Sequence, residues 1–182
     1  MTEFKLNATA ASLLGFLHDG PMTGWDLVTI AQERIGDFWS LSQSQVYREL
    51  SSMSVAGLIK AGERGPRDRR PFTITDVGRA AFAEWLNRET GEETIRFPLL
   101  LIVLFGQHVP KQRLAEVIIE HRERHARQLA DYKKSLEDMV ALEHIPTSQP
   151  DPYAMATLRF GVKYEQAVLD WFDELPEVIR GR

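Results

Sequence analysis

Apolar positions along the first half of the chain fall into short periodic groups. Over residues 10–19, Leu13, Leu14 and Leu17 share one helical face, and Gly20-Pro21 closes the segment. Thr23 is placed to cap a second helix: its hydroxyl can accept from the backbone N–H of Asp26, whose carboxylate then sits in the positive first turn. Met22 and Leu27 form a hydrophobic staple across that cap. The second helix runs to about Ile35 and stops at Gly36. Ser42 and Gln45 then make an S-x-x-Q capping box, with Leu41 and Val46 as its staple. They predict a third helix over residues 43–56, closed by Gly57.

After Gly57 the period changes from helical to alternating. Residues 58–61 read as a short strand and residues 72–75 as its partner. The stretch between them holds Gly62, Gly65 and Pro66, which suit a hairpin tip. Thr75 and Asp76 open a fourth helix carrying Val77, Ala81, Trp85 and Leu86. Three helices, a strand, a tip, a strand and a helix make a winged helix-turn-helix, in which the third helix enters the major groove.

The third helix has a divided surface. Val46, Leu50 and Met53, at i, i+4 and i+7, form its apolar face. The opposite side carries Ser44, Arg48, Ser51 and Val55, flanked by Gln45 and Tyr47; Glu49 is its one acid. An ordinary solvent-facing helix mixes both charge signs. Small polar groups instead let a helix approach phosphates and base edges closely. Gln43, Ser44, Gln45, Tyr47, Arg48 and Ser51 are therefore the candidate DNA-reading residues.

The second half reads as helix throughout. Pro98 can open a short helix through Phe105, apolar nearly all round and so expected to be fully buried. From Pro110 to about Glu143 a long helix places Leu114, Ile118, His121, His125, Leu129, Tyr132, Leu136 and Met139 on one stripe. Pro146, Pro150 and Pro152 break it within residues 144–152. A last helix of about 25 residues carries Tyr153, Phe160, Tyr164, Ala167, Val168, Trp171 and Leu175 at spacings of three or four. An antiparallel pair of helices is too thin to bury both stripes, so this aromatic stripe is the expected homodimer interface.

Composition narrows the function. The chain has 182 residues, 43% of them apolar and 26% charged, which suits one or two folded domains. It has no cysteine, which excludes disulfides, a thiol nucleophile and cysteine-ligated metal and fits a cytoplasmic protein. The apolar run of residues 99–105 is too short to cross a membrane of about 30 Å, and the first ten residues, with no basic stretch leading into an apolar one, give no expectation of a secretory leader. The net charge of −4 argues weakly against nucleic acid, so its distribution matters more. Residues 60–70 hold five basic side chains against two acidic ones, a local +3 in the hairpin tip. A basic tip on a winged helix is the place for phosphate contacts, and Arg64, Arg67, Arg69 and Arg70 are its candidates.

Signs of catalysis are lacking. His121 and His125, at i and i+4, can share a metal, but the intervening acid is out of place for a metalloprotease helix, and Arg122 and Arg124 would oppose a cation. Neither a cofactor nor a metal is expected.

Leu13-Leu14-Gly15-Phe16-Leu17 and Gly20-Pro21-Met22-Thr23-Gly24-Trp25-Asp26-Leu27 resemble the opening signature of the PadR family of transcriptional regulators. The resemblance continues through Val46-Tyr47-Arg48-Glu49-Leu50, Gly57-Leu58-Ile59, Arg69-Arg70-Pro71-Phe72 and Thr73-Ile74-Thr75-Asp76-Val77-Gly78-Arg79, in unbroken order. It implies a dimeric repressor, with operator contacts on the Tyr47 helix and the arginine-rich wing, in a family of which some members respond to phenolic acids, drugs or other small effectors. The second half resembles the subgroup with an extended helical dimerisation domain.

The expected architecture is mainly α. A winged helix-turn-helix with a two-stranded wing occupies residues 1–90, and an α-helical dimerisation and effector domain occupies residues 91–182. The expected partners are double-stranded operator DNA, a second copy of the chain and a small aromatic effector held by Trp85, Phe97, Tyr164 and Trp171. A winged-helix module that binds protein instead of DNA is the alternative.

Overall fold

In the computed structural model the described residues are 4–36, 38–65, 69–89, 91, 96–142 and 151–180. The chain divides into two compact units, Met1–Glu92 and Glu93–Arg182.

The first unit contains α1 (Ala8–Phe16), β1 (Met22–Thr23), α2 (Gly24–Ile35), α3 (Gln43–Val55), β2 (Ile59–Ala61), β3 (Pro71–Ile74) and α4 (Asp76–Leu86). The α1 helix begins two residues earlier than its apolar pattern indicates, because the Asn7 side chain accepts from the Ala10 N–H and caps it. Capping boxes start α2 and α3, Thr23 with Asp26 and Ser42 with Gln45. The α3 helix ends in a Schellman turn: Gly57, at φ 74, lets the Leu58 N–H reach the Met53 carbonyl at 2.9 Å.

The sheet has one strand more than the expected hairpin. Its order is β1-β3-β2, all antiparallel, with Met22 opposite Phe72 and Thr23 opposite Pro71. Two residues carry too little alternation to reveal β1 in the sequence. Leu14, Leu17, Leu27, Val46, Leu50, Met53, Leu58 and Ile74 fill the core as their spacing predicts. The α4 helix turns Ala81, Phe82 and Trp85 to that core and leaves Val77 and Leu86 exposed.

The second unit contains α5 (Pro98–Leu104), a 3₁₀ turn at Gly106–His108, α6 (Lys111–Leu142), α7 (Pro152–Glu174) and α8 (Glu177–Arg180). The last helix is thus shorter than expected, since Pro176 forces Leu175 into extended backbone and starts the separate α8. Of residues 144–152, where the proline break is expected, 144–150 lie outside the described residues, and Pro152 opens α7. The contacts Arg122–Asp173, His125–Glu165 and Tyr132–Gly161 run in opposite chain directions, so α6 and α7 pack antiparallel. The α6 stripe packs as predicted around Leu114, Ile118 and Leu129.

The α5 helix is not fully buried. Leu99 faces the core, whereas Leu100, Leu101, Leu104 and Phe105 are exposed. A helix of seven residues at the margin of a thin unit meets its own core on one stripe only, and its remaining apolar surface faces out.

Candidate nucleic-acid interface

The outer side of α3 presents Ser44, Arg48, Ser51 and Val55 to solvent, with Gln43 exposed at its start and Gln45 held half-buried by the cap. Tyr47 is 45% exposed and lies against α2. A Cβ built on Gly24 would stand 2.7 Å from its ring, so the glycine makes room for the tyrosine. Glu49 does not join this surface. It is 8% exposed and accepts a hydrogen bond of 3.2 Å from the Asn7 amide. Apart from Tyr47 and Val55, the exposed side of the helix is therefore small and polar, with Arg48 as its one base and no acid.

The wing lies beside the start of α2. Pairing of Thr23 with Pro71 brings Arg69 and Arg70 close to the α2 cap. There the Thr23 hydroxyl and backbone N–H both donate to Asp26, at 2.7 and 2.9 Å. These two bonds hold the Asp26 carboxyl below its ordinary 3.8, and the charge of Arg69 adds to the effect. Arg70 donates through Nε to the Gly62 carbonyl at 3.0 Å, which fastens the two arms of the wing. Arg64, Arg69 and Arg70 are exposed, and Arg67 lies outside the described residues.

Trp25 escapes the pattern analysis. It stands 59% exposed at the start of α2, off the face that buries Leu27, Val28 and Ala31. Its indole carries one N–H donor at that exposed position. Its signal in the sequence is a large aromatic residue out of phase with the apolar period.

In the second unit, the aromatic stripe of α7 splits in two. Tyr153, Phe160, Tyr164 and Ala167 point outward, and Phe160 stacks on Tyr164 with ring centres 6.4 Å apart. Val168, Trp171 and Leu175 turn to the unit's own core instead, Leu175 completely. Seven positions at mixed spacing span more than one helical face, and the face that includes Leu169 and Phe172 packs on α6.

Of the four effector candidates, Phe97 and Trp171 lie together, with ring centres 6.2 Å apart. Tyr164 belongs to the outward stripe, and Trp85 packs on the core of the first unit. Beside Phe97, His125 meets the buried Glu165 carboxylate at 2.5 Å. Burial lowers the pKa of His121, and the charges of Arg124 and His125 push it the same way. Among the described residues no group of three or more His, Asp or Glu is placed to hold a metal ion. None of the described helices is long and apolar enough to cross a membrane.

Comparison with known proteins adds the following. Residues 13–84 match the family described as "Transcriptional regulator PadR-like family", and residues 95–180 match "Virulence activator alpha C-term". The chain is 25% identical to the negative transcriptional regulator PadR of Bacillus subtilis, over 92% of this chain and 95% of that one. Its fold is similar to the crystal structure of B. subtilis PadR in complex with operator DNA, with a TM-score of 0.77, 23% identity, and 93% and 97% of the two chains covered. The structure of the same protein in complex with p-coumaric acid is likewise similar, with a TM-score of 0.72, 24% identity and coverage of 96% and 98%.

Proposed function

We propose that the chain is a PadR-like, DNA-binding transcriptional regulator rather than an enzyme, and that it acts as a homodimeric cytoplasmic repressor; the match of residues 13–84 to the PadR-like family and the 25% identity to B. subtilis PadR support this reading. Residues 1–90 read the operator and residues 91–182 join two copies. Each protomer lays α3 in a major groove, with Gln43, Ser44, Gln45, Tyr47, Arg48 and Ser51 toward bases and phosphates. Arg64, Arg67, Arg69 and Arg70 neutralise the flanking backbone. One observation carries this reading: the exposed side of α3 bears Arg48 among small polar residues, while its acid, Glu49, is turned inward.

Two half-sites about 34 Å apart then require a fixed pair of protomers. The outward residues Tyr153, Phe160, Tyr164 and Ala167 supply an apolar seam that a symmetric copy covers. Repression follows the B. subtilis relative, whose name describes a negative regulator. That relative has been solved with p-coumaric acid, so a planar aromatic acid is the proposed effector class here. Phe97 and Trp171 offer ring faces for it. Release follows when the effector favours a dimer whose helices no longer match the half-sites.

The test is to select duplexes from a random pool with the full chain and titrate the winner against a scrambled duplex at several salt concentrations. A DNA reader gives a steep fall of log K with log salt on both, and a large preference for the selected duplex. Failure to enrich any duplex removes the reading. Adding p-coumaric acid to the complex tests the effector separately, by release of the selected duplex.

A further inference from the structure

We propose that Asn7 is a positioning residue for DNA recognition: its side-chain amide holds the Glu49 carboxylate inward and so keeps that carboxylate from claiming Arg48. Asn7 uses both ends of its amide. Oδ1 accepts from the Ala10 N–H at 2.8 Å and caps α1. Nδ2 donates to Glu49 Oε1 at 3.2 Å and ties α1 to the middle of α3.

Glu49 is a liability at that place. A carboxylate on a DNA-reading helix repels phosphate, and a buried one requires a hydrogen-bond donor. Arg48 Nη2 stands 4.0 Å from the same Oε1, at the outer limit of an ion pair, and its side chain is 68% exposed. Two donors thus face one oxygen, and Asn7 holds the shorter contact. Once the Asn7 donor is lost, the remaining partner is the neighbouring guanidinium. Closing that 4.0 Å gap to hydrogen-bond distance pulls Arg48 back against its own helix. The cation best placed for DNA is then neutralised within the protein. Asn7 need not touch DNA for this to happen.

The inference rests on α3 as the reading helix, and the experiment separates the two. The probe is a duplex selected from a random pool by the wild-type chain. Asn7→Ser retains a capping oxygen for α1 and removes the donor to Glu49. The expected result is a 5- to 10-fold weaker complex with an unchanged thermal midpoint, restored to within twofold by adding Glu49→Gln. Introducing Asn7→Ser into an Arg48→Ala background should change affinity less than twofold, because the captured cation is already gone. If Asn7→Ser is too unstable to titrate, Asn7→Thr makes the same comparison with another capping hydroxyl. Wild-type affinity in the folded Asn7 variant overturns the proposal. So does a loss that Glu49→Gln leaves in place, or one of equal size without Arg48. Failure of the wild-type chain to select any duplex would instead overturn the reading of α3.

Discussion

The ring of Tyr47 fills the space in which any residue except glycine at position 24 would carry its Cβ, which would lie 2.7 Å from the ring. The atoms in conflict are at the far end of the tyrosine, which can swing away cheaply. Gly24→Ala therefore leaves stability within about 1 kcal/mol and displaces the tyrosine. Operator affinity should fall by roughly 1–3 kcal/mol, as for Tyr47→Ala. Operator titration and thermal melting of both variants check this, and a Gly24→Ala variant that binds as tightly as wild type would remove Tyr47 from the contact set.

The wing arginines differ in duty. Arg69 is exposed, and Arg70 also fastens the hairpin through Gly62. Arg69→Ala should lower the magnitude of the salt slope by about 0.9, the value for one phosphate contact, on operator and scrambled duplex alike. Arg70→Ala should do the same and also loosen the wing. Hydrogen exchange at the Gly62 and Gly65 amides reads the second effect. Unchanged slopes in both variants would make these side chains mere solvated charges.

The outward seam of α7 gives a cleaner test of dimerisation than removal of residues 151–182. That deletion would also strip Leu169, Phe172 and Leu175 from the core they share with α6. Phe160 is 68% exposed, so Phe160→Glu spares that core. Sedimentation at micromolar concentration should show a folded monomer, and operator affinity should drop at least tenfold as the second half-site is lost. A dimer of unchanged strength would place the interface elsewhere, with the exposed side of α5 as the next surface to examine.

Acid should weaken the second unit through His121. Its folded-state pKa is lowered, so the unfolded chain takes up the proton first as pH falls. The stability linked to this group is complete above the ordinary value of 6.5 and is lost as pH falls from there toward the lowered one. The thermal midpoint should be lower at pH 5.5 than at pH 7.5, and His121→Gln should flatten that difference. An identical pH profile in the variant would exclude His121 as its source.

Much of the first unit is legible in the sequence because its signals are local. Thr23 with Asp26, and Ser42 with Gln45, announce their helices within four residues, and both boxes form as their spacing requires. The β1 strand does not announce itself, since its pairing with Phe72 and Pro71 is a long-range event. Glu49 is equally silent: nothing at residues 43–55 says that an amide at position 7 turns it inward. In the second unit the heptad-like spacing of α7 reveals that two faces exist. It leaves undecided which one packs on α6, and Leu175 consequently falls on the side opposite to its expected one. Exposure of α5 follows from the few neighbours available in a thin unit, which its own apolar residues do not encode.

The position of β3 between β1 and β2 has a mechanical consequence. A wing attached only through its own hairpin could swing freely about its base. Here any large swing must peel Met22 and Thr23 from Phe72 and Pro71, and Thr23 is the residue that caps α2. Tilting the wing therefore frays the helix that supports Tyr47. The wing arginines and the Tyr47 ring belong to one stiff body, so a strain applied at either is felt at both.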